Sequence, residues 1–284
     1  MNNAARVWTI LAILKWSENF LREKGVAAAK HDAEYLLAFV LDCQRLDLYL
    51  RFDQPLTSSE RAAYKKLLLR RANREPLQYI TGEAWFMSEK FKVSLHTLIP
   101  RCDTEILAET VLRYLDQAEL VIDIGAGSGI LAVTFAKRGK KVLALDISAE
   151  ALAVARENAA AQQVADKIEF INADLLTGVD IPPTRGVFLV SNPPYISPAE
   201  YATLEPEVRD HEPRLALLAQ DDGLEFYQKI LAQSNTVPNL KGIFFEVGHQ
   251  QAGAVAKLLQ ERLQNPAQIV RDLGGKERVV YTLL

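Results

Sequence analysis

Leu120-Val121-Ile122-Asp123-Ile124-Gly125-Ala126-Gly127-Ser128-Gly129-Ile130 is an apolar run that breaks into glycine at every second position. A short run of core-type residues reads as a buried strand. Glycines directly after it read as a tight turn into a helix, where the backbone approaches a ligand with no Cβ in the way.

Downstream the same alternation repeats. Strands are expected at Lys141 to Ile147, Lys167 to Ala173, Gly186 to Ser191 and Gly242 to Val247, with helices between them. Ser148 stands as the cap of the first of these helices. Two last β segments meet at Gly274-Gly275. Strand and helix in alternation predict an α/β fold with a doubly wound, mostly parallel sheet.

Upstream, the first 75 residues read as helices only. Val7, Ile10, Leu11, Leu14, Phe20 and Leu21 recur at helical spacing from Arg6 to Lys24, and Gly25 stops the run. A second helix spans about Ala29 to Cys43. A third follows Ser58-Ser59 and carries Arg61, Lys65, Lys66, Arg70, Arg71 and Arg74, read as a solvated face or a partner-binding patch. Pro76 ends this region. Gly82, Trp85, Phe86 and Phe91-Lys92-Val93 then suggest a hairpin-like connector. The expected organisation is a helical substrate-recognition domain over 1–75, a hairpin linker over 76–100, and a catalytic α/β domain over 101–284.

Composition sets the outer bounds. Of 284 residues, 49% are hydrophobic and 24% charged, an ordinary globular balance that excludes disorder as the main character. A net charge of -3 gives no global pull toward nucleic acid or an anionic membrane. Cys43 and Cys102 are too few for a disulfide framework, which points to a reducing, cytoplasmic setting. The start, Met1-Asn2-Asn3-Ala4-Ala5-Arg6, reads as neither a signal peptide nor a membrane span. His31, His96, His211 and His249 lack metal-ligand spacing, so no metal is expected.

The glycine loop has a direction. Its third glycine comes early, at Gly129, and Ile130 fills the slot where a dinucleotide pattern wants glycine. That favours S-adenosyl-L-methionine over NAD, since a sulfonium cofactor carries no pyrophosphate to cradle. Gly125, Ala126, Gly127, Ser128 and Gly129 are the candidate loop contacts. Asp146 closes the second strand about twenty residues on, placed to accept from both ribose hydroxyls. Asp174 closes the third strand, placed to accept from an adenine amino group, with Leu175 packing on the ring.

Asn192-Pro193-Pro194-Tyr195 follows the apolar strand Val187-Phe188-Leu189-Val190. Two prolines straight after a buried strand fix a rigid turn, because each sets φ and removes a donor. The Pro193 carbonyl is thereby free to face the cleft at the strands' carboxyl ends. An amide or aromatic amine nitrogen is a poor nucleophile because its lone pair is delocalised. If the Asn192 oxygen and the Pro193 carbonyl each accept one N–H, the lone pair faces the cofactor methyl. The same acceptors stabilise the positive charge that grows on nitrogen. Tyr195 offers an aromatic wall for a flat target group.

At full length the chain resembles the protein-(glutamine-N5) methyltransferases that modify peptide-chain release factors. The resemblance runs through Arg74-Glu75-Pro76-Leu77-Gln78-Tyr79-Ile80-Thr81-Gly82, Leu98-Ile99-Pro100-Arg101-Cys102-Asp103-Thr104-Glu105 and Glu212-Pro213-Arg214-Leu215-Ala216-Leu217. It continues through Asp222-Gly223-Leu224 to Asp272-Leu273-Gly274-Gly275 with Arg278-Val279-Val280. It implies a class I methyltransferase-like, seven-stranded domain behind a small helical domain that helps hold the release factor. The implied substrate is the glutamine of a Gly-Gly-Gln loop. Gly125, Gly127, Gly129, Asp146 and Asn192 match cofactor positions, Asn192 to Tyr195 match the substrate clamp, and Arg101 and Thr104 line the cofactor cleft. The expectation is a monomer with no direct nucleic-acid or membrane partner. Cys102 departs from the family's usual proline, and Ala219-Gln220 from its common glycine pair.

Three other readings compete. An adenine-N6 nucleic-acid methyltransferase would use a similar flat amino group but would need a nucleic-acid surface and, on duplex DNA, base flipping. A non-catalytic scaffold would not need the loop and tetrapeptide intact. Cys102 as a nucleophile is not required by direct transfer.

Overall fold

The computed structural model describes residues 7–284 and divides into two compact units. One comprises the chain up to Gly82 together with Pro206–His211; the other comprises Glu83–Glu205 and Glu212–Leu284.

The helical unit contains α1 (Ile10–Glu23), α2 (Ala29–Val40), α3 (Arg45–Leu50), α4 (Ser58–Ala72) and α5 (Leu77–Thr81). Helix α1 starts where the Thr9 side chain accepts the Ala12 N–H, and it stops at Gly25, whose φ is 78°. Its expected beginning at Arg6 lies outside the described residues. Helix α4 opens with a reciprocal capping box between Thr57 and Glu60. Ile10, Leu21, Leu36, Leu37, Tyr64 and Leu68 close one core, and the Tyr64 hydroxyl donates to the Ala33 carbonyl.

Three local expectations need correction. Helix α3 was not foreseen; its six residues are too short for a clear period. Leu77–Thr81 is helical, with Pro76 supplying the N-cap and Gly82 ending it at φ 77°. The hairpin therefore begins at Glu83. The basic face of α4 is neither a solvated stripe nor a patch. Arg71 is buried and donates to Asp32 at 2.7 Å and to Glu207 at 2.9 Å, Arg74 also binds Glu207, and Arg70 pairs with Glu75. Arg71 follows Tyr64 and Leu68 on the inward register, which is why it points to the core. Lys65 and Lys66 remain exposed.

The second unit opens with a hairpin, β1 (Glu83–Phe86) and β2 (Glu89–Lys92), turned by Met87 and Ser88 at φ 50° and 64°. Then come α6 (Cys102–Leu112), β3 (Leu120–Ile124), α7 (Ile130–Lys137), β4 (Lys141–Asp146), α8 (Ala149–Ala161), β5 (Ile168–Asn172) and β6 (Val187–Ser191). After them lie α9 (Glu225–Gln233), β7 (Leu240–Glu246), α10 (Ala252–Leu263), β8 (Gln268–Arg271) and β9 (Glu277–Leu283). The seven-stranded sheet has the order β5-β4-β3-β6-β7-β9-β8. Strands β5 through β7 are mutually parallel, while β9 and β8 are antiparallel.

Every residue of β3 is buried, and its neighbours alternate between two cores. Val121 joins the layer of α6, α7 and α8; Leu120, Ile122 and Ile124 join the layer of α9 and α10. This three-layer, doubly wound arrangement is the expected fold class. The register fixes the site. Ile124 pairs with both Leu145 and Ser191, and Asp146 pairs with Asn172. Gly125, Asp146, Ala173 and Asn192 therefore leave the sheet side by side, at the reversal of strand order where α/β sheets bind ligands.

Candidate active site

The glycine loop is tied down on two sides. Gly125 and Ala126 donate to the Leu145 carbonyl at 2.8 and 2.9 Å, and Gly127 donates to the Asp146 Oδ2 at 2.8 Å. Asp146 Oδ1 accepts the Ser148 N–H at 2.9 Å. The aspartate thus anchors the loop and the next helix turn alike, although Ser148 also caps α8 through the Ala151 N–H. Burial raises the Asp146 carboxyl above its ordinary value against these backbone donors. Gly129 contributes close packing instead. At φ 80° it starts α7, and a Cβ there would lie 2.9 Å from the Ala155 Cβ on α8.

Asp123 lies below the loop, buried in β3, with Oδ2 accepting the Ala132 N–H of α7 at 3.0 Å. Its Oδ1 has no partner among the described residues. Burial, with Asp146 nearby, pushes this carboxyl up to about 7.

The tetrapeptide emerges beside the loop. The Asn192 Nδ2 donates to the Thr104 Oγ1 at 3.1 Å, so the Asn192 Oδ1 is the carboxamide atom left to accept elsewhere. Among the described residues no donor reaches the Pro193 carbonyl. The Tyr195 carbonyl accepts the Gln251 Nε2 at 2.9 Å, and the Gln251 Oε1 accepts the Gly248 N–H at 3.1 Å. A Cβ on Gly248 would come within 2.8 Å of the Tyr195 ring. The turn is therefore clamped from behind by the segment after β7.

A cleft of about 430 Å³ opens over these elements. It is lined by Arg101, Thr104, Gly125, Ala126, Gly127, Ser128, Asp146, Asp174, Leu175, Asn192, Pro193 and Pro194. Two expected site residues stand outside that lining. Gly129 faces α8, and Tyr195 packs toward the α9 and α10 side rather than walling the cleft. Arg101 is held by Glu212, whose Oε1 lies 2.5 Å from its Nη2 and whose Oε2 accepts the Ile99 N–H at 3.2 Å. Cys102 is the first residue of α6, not part of a linker turn. Proline is favoured there only because that N–H has no helical partner, so cysteine fits. Ala219 and Gln220 hold ordinary backbone angles; the positive φ values fall on Asp221, Asp222 and Gly223.

Residues 12–82 match the family model described as the PrmC N-terminal domain, and residues 102–206 match the methyltransferase small domain. Over 285 residues the chain is 40% identical to the release factor glutamine methyltransferase of Chlorobaculum tepidum, covering 96% of each. It is 38% identical to that of Geobacter sulfurreducens, over 97% of this chain and 99% of the other. The chain belongs to the release factor glutamine methyltransferase family. The fold is also that of the hMettl16 catalytic domain in complex with MAT2A 3'UTR hairpin 1. That likeness has a TM-score of 0.54 at 17% identity, over 88% of this chain and 90% of the other.

Within this release factor glutamine methyltransferase, several groups at the site escaped sequence reasoning. Asn158, buried on α8, binds the Lys92 backbone through both its amide atoms and the Ser128 carbonyl at 2.8 Å, joining hairpin to glycine loop. Gln251 and Glu246 lie beneath the tetrapeptide. Only Glu246 left a trace: a lone acid ending the apolar strand Gly242-Ile243-Phe244-Phe245. No described helix is long and apolar enough to cross a membrane. No three His, Cys, Asp or Glu among the described residues gather to hold a metal.

Proposed function

We propose that this family member transfers a methyl group from S-adenosyl-L-methionine to the side-chain amide nitrogen of the glutamine in the Gly-Gly-Gln loop of peptide-chain release factors. One observation carries the reading. The Asn192 carboxamide is turned by Thr104 so that its oxygen, with the neighbouring Pro193 carbonyl, offers two acceptors at the sheet's switch point.

The cleft fits the cofactor's chemistry. Its volume lies within the usual range for small-molecule sites. Asp146 keeps lone pairs free for ribose hydroxyls after accepting its two backbone donors. Asp174 and Leu175 stand at the next strand end for the base, and Arg101 is a cation for a carboxylate. Once bound, the cofactor supplies an electrophilic methyl on a sulfonium.

The remaining work falls to the chain. Two acceptors hold both amide hydrogens in one plane, which aims the nitrogen lone pair along the perpendicular. As positive charge grows on nitrogen, both contacts strengthen, and that difference is what accelerates transfer. No base must act first, because the amide proton becomes acidic only once the bond has formed. Tyr195 serves by holding the turn rigid. Every group named comes from one chain, so a monomer suffices, and a translation factor as substrate places the enzyme in the cytoplasm. The adenine-N6 reading finds no support in any feature of this cleft.

The test is methyl transfer from labelled cofactor to a release factor carrying Gly-Gly-Gln, beside the same protein carrying Gly-Gly-Ala and a DNA control. Label on the first alone is expected. Label on DNA with none on the release factor would overturn the proposal.

A further inference from the structure

Glu246 ends β7 beneath the tetrapeptide, 1% exposed, and its Oε2 has no partner among the described residues. A buried carboxylate with an orphan oxygen is unfavourable, and such a group beside a cleft calls for a reason. The cations that face it are already engaged. Arg278, on β9, binds Asp103 at 2.8 Å and Asp272 at 2.9 Å, and Arg101 binds Glu212. The other groups facing it are Asp103 and Thr104 of α6, Tyr195 after β6 and Tyr227 of α9. Of these, only the Thr104 hydroxyl hydrogen-bonds the carboxyl, while the Tyr227 hydroxyl takes the Glu246 backbone carbonyl.

A hydroxyl has one hydrogen to give. An ionised carboxylate only accepts, so with Glu246 ionised the Thr104 hydrogen is committed to it. The Thr104 oxygen is then left to accept, and it accepts the Asn192 Nδ2 at 3.1 Å. We propose that Glu246 is a positioning residue that, through Thr104, fixes the Asn192 carboxamide with its oxygen toward the cleft. This rests on the reading of Asn192 as an acceptor for the substrate amide.

The relay is reversible. Protonated, Glu246 becomes a donor to Thr104, which frees the Thr104 hydrogen for the Asn192 oxygen. The carboxamide then rotates, and its N–H₂ faces the substrate's own. Burial raises the Glu246 carboxyl to about 7, with Thr104 opposing and Asp103 adding to the rise. Turnover should therefore fall with an acid limb near that value, while release-factor binding changes little.

The test measures kcat and KM of the full chain on a Gly-Gly-Gln release factor from about pH 5.5 to about 9. Glu246→Gln keeps an acceptor but cannot ionise; it should hold kcat within about threefold of wild type and flatten the acid limb. Glu246→Leu and Thr104→Val should each lose roughly 10- to 100-fold in kcat, less than a direct transition-state contact is worth. Thr104→Ser should restore most of that loss. A purely structural Glu246 would instead leave the acid limb in place in Glu246→Gln, and that result overturns the proposal. Should Glu246→Leu not fold, the Thr104 pair and Glu246→Gln decide alone. Asn192→Ala runs alongside. If it is inactive while the Glu246 variants behave as wild type, only the relay fails; if it is active, the acceptor reading itself fails.

Discussion

The Gly127 amide donates to Asp146 at 2.8 Å, joining the glycine loop after β3 to the acid that ends β4. One carboxylate thereby shapes the floor of the cleft and presents lone pairs to whatever sugar lies on it. Asp146→Ala should weaken adenosylmethionine binding by roughly 10- to 100-fold, the scale of losing one or two hydrogen bonds to a charged group. At saturating cofactor, turnover should fall far less. Calorimetric Kd beside saturated kcat checks this. A variant that binds normally but turns over slowly would remove Asp146 from the cofactor site.

Asn192 makes the opposite prediction. Asn192→Ala should fold and bind cofactor, because its side chain bonds only Thr104 among the described residues. Its kcat should drop by roughly 10²–10³, the loss expected for one preorganised transition-state acceptor. Near-full activity in that variant would leave the clamp without a mechanism.

Much of this site was legible because strand ends are. The glycine loop, Asp146, Asp174 and Asn192 each follow an apolar run, and a parallel sheet brings such ends to one edge whatever the loops do. What the sequence did not disclose were contacts between distant segments. Asn192 meets Thr104 across 88 positions, and Asn158 meets the hairpin across 66. No period or spacing encodes those pairings. Arg71 is a different case. It follows Tyr64 by seven residues and so shares the buried stripe, which its charge concealed. Tyr195 shows the converse limit: an aromatic beside a functional turn packs where steric room exists, here against Gly248.

Glu207 bridges Arg71 and Arg74 and anchors Pro206–His211 within the helical unit. Burial would raise its carboxyl, but hydrogen bonds from Arg74 and then Arg71 outweigh it and bring it down to about 2. A depressed carboxyl contributes stability that is present above the ordinary carboxylate range and lost as pH falls toward 2. Glu207→Ala should therefore destabilise the helical unit by about 2–3 kcal/mol at neutral pH, since it also strands the buried Arg71. Charge reversal at exposed Lys65 and Lys66 should leave that unit intact. Thermal unfolding and hydrogen exchange of Pro206–His211 distinguish the two. Equal, small effects from both changes would demote the Glu207 bridge to a surface contact.

Asp123 offers a stability test whose sign runs against ordinary acid denaturation. Its carboxyl is raised to about 7 by burial, so the folded chain holds a proton that the unfolded chain releases near 3.8. The stability linked to that proton is present below the unfolded value and is lost as pH rises toward 7. Asp123→Asn cannot ionise, and its oxygen can still accept the Ala132 N–H. At about pH 8 it should stabilise the protein by about 1–3 kcal/mol, after allowance for an amide N–H₂ that must find a partner. The gain should shrink as pH is lowered toward about 4, where wild-type Asp123 is neutral in both states. Melting temperatures of the two proteins across that range decide the matter. A constant difference at every pH would mean that Asp123 ionisation is not coupled to folding, and that its unpartnered oxygen is satisfied without a proton.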